Sequence, residues 1–134
     1  METQTPKPIR HYSHYYGDIV RVIFIVGAVY HLLLLPTMTE TFNIPALISI
    51  FAVVILGISA GITNPVQEFS VKLNALISIV FLIIFAYLGW YSRVNNIGGW
   101  FELANQVAAL LFLIASYFSV KSLRGMMVSD RGEN

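Results

Sequence analysis

Long apolar runs alternate with short polar links along the chain. The runs occupy residues 19–36, 44–63, 73–92 and 100–120. Each is about 20 residues long, and an α-helix of that length, rising about 1.5 Å per residue, spans the ~30 Å hydrocarbon layer of a bilayer. The runs lack the apolar–polar alternation of a barrel strand, and a bilayer holds no water to satisfy an unpaired backbone amide. The pattern therefore predicts one transmembrane helix for each run.

The links between the runs carry residues that end helices. Pro36 closes the first run, Pro45 lies in the first turn of the second, and Asn64-Pro65 closes the second. Residues 93–99 separate the third run from the fourth. Because the links are short, helices adjacent in sequence are expected to be antiparallel neighbours. We predict an all-α membrane protein with four antiparallel transmembrane helices joined by short links.

The domain organisation follows from these runs. Residues 1–18 form an N-terminal interfacial segment, residues 19–120 the transmembrane domain, and residues 121–134 a C-terminal tail. The first run also has the apolar character of a secretory signal. No Ala-x-Ala cleavage site follows it, so we expect it to be retained.

The composition separates this chain from soluble proteins. It is 57% hydrophobic and 11% charged, with a mean hydropathy of +0.72, whereas roughly 25% of the residues of a typical globular protein are charged. So few charges cannot cover a soluble bundle of this size, so most of the molecule must be surrounded by lipid. The net charge of +1 gives little attraction to nucleic acid, and we expect no nucleic-acid partner. The absence of cysteine removes disulfides and thiolate metal sites.

The basic residues predict how the chain is oriented. With four crossings, Arg93 stands alone on one side of the membrane and every other Lys or Arg lies on the opposite side. These others are Lys7, Arg10, Arg21, Lys72, Lys121, Arg124 and Arg131. Because cytoplasmic segments are enriched in Lys and Arg, we predict that both termini face the cytoplasm. In size and hydropathy the chain resembles small four-helix proteins of bacterial inner membranes, and this resemblance implies a location in the inner (plasma) membrane.

Ionisable groups beside the apolar runs are candidate functional residues, because a charge in a membrane costs free energy. Asp18 and Arg21 are three residues apart and share a helix face at the cytoplasmic boundary. One interpretation is a locally paired anchor in which Arg21 extends to the lipid headgroups. The other is that Arg21 binds an anionic substrate or headgroup at the cytoplasmic mouth of the bundle.

A second candidate site lies deeper, near the opposite boundary. Glu102, Asn105 and Gln106 are spaced i, i+3, i+4 and form one polar patch on the fourth predicted helix. His31 lies at a matching depth on the first. We predict that His31 packs near this patch inside the bundle. The contact is either an interhelical hydrogen bond that fixes how the two helices meet or a titrating His–Glu pair acting as a proton or pH-sensitive element.

Two weaker motifs remain. Gly57 and Gly61 form a Gly-x-x-x-Gly pair, which permits close helix packing within the monomer or between copies. His11, His14 and Asp18 are spaced i, i+3, i+7 and would align three metal ligands on a helix. The tyrosines between them also suit an interfacial helix at the headgroups. We predict no resident metal or cofactor.

The sequence ranks three classes of function. Phosphate-loop, zinc-protease and serine-hydrolase motifs are absent from it, so we expect that the chain is not an enzyme. We favour a structural or accessory membrane protein that packs with itself or with a membrane-protein partner, surrounded by membrane lipids. The alternative is an oligomeric channel or small transporter that uses the polar groups within the bundle. A membrane enzyme acting on a lipid is the third hypothesis.

Overall fold

The computed structural model describes residues 15–63 and 67–131, and this part of the chain is all-helical. The five helices are α1 (Gly17–Leu33), α2 (Leu35–Phe42), α3 (Ala46–Ile62), α4 (Glu68–Val94) and α5 (Gly99–Arg131). No strand occurs in these two ranges, so the all-α prediction is confirmed for them. The predicted boundary at Asn64-Pro65 lies outside the described residues, as does the N-terminal interfacial segment apart from residues 15–18.

Two helices are long and apolar enough to cross a membrane. Mean hydropathy reaches 2.3 in α4 and 1.7 in the part of α5 between Gly99 and Val128. α1 and α2 add a third candidate if this pair, bent by 52°, is one span. α3 is apolar but only 17 residues long, or about 25 Å. The described residues therefore contain two to three candidate membrane spans, which supports a membrane protein.

The sequence predicted that Pro36 ends the first helix, and the structure corrects this. α1 ends at Leu33, and Pro36 lies in the first turn of α2. A backbone N–H in the first turn has no partner within the helix, so proline is tolerated there. Met38 of α2 is buried in a cluster with Leu88 of α4, which favours the helical conformation of this segment. Asn43 ends α2 in the left-handed conformation, with φ of 52°.

α4 and α5 extend beyond the apolar runs that predicted them. α4 has 27 residues and begins at Glu68, while α5 has 33 and continues to Arg131. The tail predicted from residue 121 is thus helical over its described part. Hydropathy marks where contact with lipid ends, but Met126 is still buried and the helix continues past it. The two helices pack together extensively, joined by a turn in which Gly98 has a φ of 81°.

A layer of four phenylalanines closes the interior of the bundle. Phe24 of α1, Phe81 and Phe85 of α4, and Phe112 of α5 are all buried. Their contacting rings have centroids 5.4 to 6.1 Å apart, and each such pair adds about 0.5–1.5 kcal/mol beyond its area burial. α1 packs against α3 and α5, so this layer joins α1 to the α4–α5 pair. α3 lies against α1 and α2 and touches α4 at few points.

Replacing Gly27 with alanine is expected to destabilise the fold by about 1–3 kcal/mol. A Cβ at this position would lie 2.6 Å from Cζ of Phe112, which is held in the phenylalanine layer. Denaturant unfolding of the purified protein in detergent micelles measures the change. The matched control is Gly99→Ala, because a Cβ at Gly99 meets nothing within 4 Å. If both variants were as stable as the wild type, the close approach of Phe112 to α1 would be contradicted.

Candidate functional site

The charged side chains of the bundle gather at two ends. At the first, here named the basic end, α1 and α4 begin and α3 and α5 finish. This end carries Arg21, Lys72, Lys121 and Arg124. At the second, the α2 end, α1 meets α2 and α4 turns into α5 beside Arg93. The candidate residues from the sequence are divided between these two ends.

Arg21 binds the end of α3. Its Nε donates to the carbonyl of Ala60 (3.1 Å) and its Nη2 to the carbonyl of Thr63 (2.7 Å). The last carbonyls of a helix have no partner within it, and a cation there also offsets the negative end of the helix dipole. Nη1 lies 3.9 Å from Oδ1 of Asp18, whose side chain is 90% exposed, so this pairing is weak. Arg21 therefore caps α3, a role that neither sequence interpretation contained.

A line of polar side chains on α4 continues from this cap into the bundle. Ser70, Asn74 and Ser78 lie on one buried helix face, four residues apart. Nδ2 of Asn74 donates to Oγ1 of Thr63 (3.2 Å), and Oγ of Ser78 lies 3.5 Å from Oγ of Ser119 on α5. These contacts join α4 to the end of α3 and to α5. The sequence predictions did not include these residues, although polar residues spaced i, i+4, i+8 at the start of an apolar run indicate a shared helix face.

His31 is buried in apolar surroundings. The residue is 6% exposed, and its ring and that of Phe85 pack edge to face, with centroids 5.9 Å apart. Nδ1 of His31 has no hydrogen-bond partner among the described residues. Within the same ranges, no hydrogen bond or ion pair joins His31 to the polar patch predicted on α5. The titrating His–Glu pair therefore receives no support from the contacts of His31.

The predicted patch on α5 divides into two parts. Oε1 of Glu102 accepts a hydrogen bond from Nε2 of Gln106 (3.0 Å) and lies 3.9 Å from Nη1 of Arg93. Asn105, in contrast, is fully buried. Its Nδ2 donates to the carbonyl of Phe101 (2.8 Å) in its own helix, and its Oδ1 has no partner in the described part of the chain. Glu102 and Gln106 thus belong to an ion-pair group with Arg93 at the α2 end, and Asn105 belongs to the interior.

An apolar cavity of about 370 Å³ lies between α2, α3 and α4 at the α2 end. Its lining includes Met38, Ile48, Phe81 and Leu88, and His31 borders it. Ser49 and Tyr87 also line it, but the accessible wall is almost entirely apolar. The cavity suits a hydrocarbon chain or an apolar side chain.

The metal-ligand hypothesis falls mainly outside the described residues. His11 and His14 are not among them, and Asp18 is. Over residues 15–63 and 67–128, no three His, Asp or Glu side chains come together in a way that could hold a metal ion. The alignment of all three candidate ligands stays a prediction.

α3 presents its two glycines away from the rest of the bundle. A Cβ built at Gly57 or at Gly61 would meet nothing within 4 Å. Leu56 and Ala60, by contrast, are buried in the core that α3 shares with α1. The Gly-x-x-x-Gly pair therefore makes no close packing contact within the described part of the monomer.

No protein-family model, curated protein or solved structure matches this chain. The described residues offer hydrogen-bonded contacts between helices, an apolar cavity and an open helix face. Among the polar groups at the two ends, Arg21 joins α1 to the end of α3, and Arg93 of α4 lies near Glu102 of α5. Lys72 and Gln106 instead bond within their own helices.

Proposed function

We propose that this protein is a structural or accessory membrane protein, not an enzyme, that crosses the inner membrane four times and dimerises through α3. The crossings are α1 with α2, then α3, α4 and α5. An even number of crossings leaves both termini at the basic end. The excess of Lys and Arg at that end supports a cytoplasmic location for it.

The open glycine pair on α3 is the observation that carries the proposed assembly. A glycine inside a helix costs about 1 kcal/mol relative to alanine, and contact with lipid tails does not recover this cost. Two glycines four residues apart allow the backbone of a second helix to approach closely. Since a Cβ at Gly57 or Gly61 would meet nothing within 4 Å in the described monomer, their surface is free for a second molecule.

The length of α3 supports the same proposal independently. Its 17 residues span about 25 Å, which is less than the ~30 Å hydrocarbon layer. A helix shorter than the bilayer is thick can relieve the mismatch by associating with other helices. α1 covers one face of α3, and α4 touches α3 at few points.

The occupant that we propose for this face is a second copy of the chain. A Gly-x-x-x-Gly face is self-complementary, so two α3 helices related by a two-fold axis can place the same spacing against each other. The described links between helices are short and offer little surface for recognising an unrelated partner.

Replacing both Gly57 and Gly61 with isoleucine is expected to weaken dimerisation about ten-fold. The branched side chains hold the two backbones apart, yet the monomer should still fold because a Cβ at either site meets nothing within 4 Å. Energy transfer between donor-labelled and acceptor-labelled copies in lipid vesicles measures the association. The matched control is Gly99→Ile, since Gly99 is equally open but lies on α5.

Two outcomes would contradict the proposed dimer. One is a wild-type protein that shows no more energy transfer than the double variant. The other is a photo-crosslinker at position 57 that captures a different membrane protein and no second copy, which would assign this face to a heterologous partner.

The phenylalanine layer argues against the alternative of a channel or transporter within one copy. Phe24, Phe81, Phe85 and Phe112 fill the centre of the bundle, where a conduction path would have to pass. A path between copies would need polar groups along an outer face, but α3 presents apolar residues such as Phe51 there.

A further inference from the structure

We propose that a groove beside α4 and α5 at the basic end binds an anionic phospholipid. The groove has a volume of about 560 Å³ and lies along α5, with Ile79 of α4 at its side. Its lining from α5 includes Leu113, Tyr117, Val120, Lys121 and Arg124. This site is separate from the outer face of α3, so it does not depend on the proposed dimer.

The shape of the groove fits one lipid chain with its headgroup at the basic end. Leu113, Val120 and Arg124 follow one face of α5 at spacings of seven and four residues. From Leu113 to Arg124 the helix rises about 16 Å, so the lining changes from apolar to cationic over that length. An acyl chain can lie along Leu113 and Val120 while its phosphate is near Lys121 and Arg124.

Aromatic rings hold Lys121 at the cationic end of the groove. Its Nζ lies 4.8 Å from the ring centroid of Tyr16 and 5.7 Å from that of Tyr117. Tyr16 is itself fixed to α5, because its backbone N–H donates to Oγ of Ser122 (3.0 Å) and its ring lies 5.1 Å from Phe118. Less side-chain freedom is therefore lost when an anion binds to Lys121.

Charge complementarity selects an anionic headgroup. Lys121 and Arg124 form no ion pair with a carboxylate among the described residues. The other cations at this end already have partners. Nζ of Lys72 lies 2.6 Å from Oε1 of Glu68, and Arg21 caps α3. The phosphate of a membrane lipid is the anion met at this depth, and each basic residue near it strengthens binding about five-fold. A phospholipid of net negative charge, such as phosphatidylglycerol, matches the groove, because its acyl chain fits the apolar half and its headgroup fits the cationic half.

Native mass spectrometry of the full chain, released from micelles, tests the cationic half. With equal amounts of phosphatidylglycerol and phosphatidylcholine of the same acyl chains, the wild type should retain phosphatidylglycerol preferentially. Lys121→Gln and Arg124→Gln should each reduce this preference about five-fold. Lys72→Gln is the matched control, because Lys72 lies at the same end, is paired with Glu68 and is outside the groove.

Leu113→Trp tests the apolar half. The side chain of Leu113 is 51% exposed, so tryptophan can fill the groove without entering the core. It should reduce retention of long-chain phosphatidylglycerol and leave a short-chain analogue unaffected. Circular dichroism checks that every variant is folded.

The proposal is overturned by either of two results. If Lys72→Gln lowers the preference as much as Lys121→Gln, only general charge attraction is being measured. If inorganic phosphate or the short-chain lipid competes as well as the long-chain lipid for the wild type, the apolar half takes no part in binding.

Discussion

Replacing Phe85 with alanine is expected to lower the free energy of unfolding by about 3 kcal/mol. Phe85 is fully buried, and its ring contacts the rings of Tyr30, His31, Phe81 and Phe112 at centroid distances of 5.4 to 6.1 Å. In a membrane the unfolded helices also lie in lipid, so the loss comes from dispersion contacts and from the cavity left behind. For that reason we place the effect near the low end of the range for buried phenylalanines.

Unfolding of the purified variant in detergent, followed by circular dichroism, measures this loss. The matched control is Phe69→Ala on the same helix, because Phe69 is 70% exposed, and its change should stay within about 0.5 kcal/mol. If the two variants unfolded alike, the phenylalanine layer would not be the centre of stability. The layer would then give no reason to exclude a conduction path through one copy.

Replacing Arg21 with methionine is expected to destabilise the protein by about 2 kcal/mol. The change removes the charged donors that satisfy the carbonyls of Ala60 and Thr63 at the end of α3, and keeps a long apolar stem. Because the side chain is partly exposed, water replaces some of the lost hydrogen bonding. Lysine should restore only part of the stability, since an ammonium group lacks the planar set of donors that reaches both carbonyls.

The same unfolding measurement distinguishes capping from ligand binding at Arg21. Asp18→Asn is the control, because its pairing with Arg21 is long and exposed, and its stability should equal that of the wild type. An Arg21→Met variant that keeps full stability but loses affinity for an anionic ligand would instead support the second interpretation drawn from the sequence.

The existence of the helices could be predicted from the sequence, but several of their ends could not. An apolar run requires a helix in lipid whatever its neighbours do, whereas the end of a helix depends on packing. Pro36 has the same local chemistry whether it closes one helix or opens the next, and the burial of Met38 decides in favour of the second. α5 likewise continues past its apolar run, where Met126 is still buried.

The candidate site was only partly predictable for a related reason. A charge such as Arg21 is visible in the sequence, but its partners are backbone carbonyls, which carry no residue-specific pattern. The depth of His31 follows from helical rise, but the direction in which it faces depends on how α1 is rotated against its neighbours. Asn74 could have been predicted as a buried polar residue, because its spacing from Ser70 and Ser78 places all three on one helix face.

The length of α5 has a mechanical consequence. Its 33 residues extend over about 50 Å, which is about 20 Å more than the ~30 Å hydrocarbon layer is thick. In the four-crossing arrangement that we propose, the helix therefore continues beyond the lipid tails without a break. Its last turns and Phe112 in the core then belong to one continuous helix, not to a helix and a loose tail.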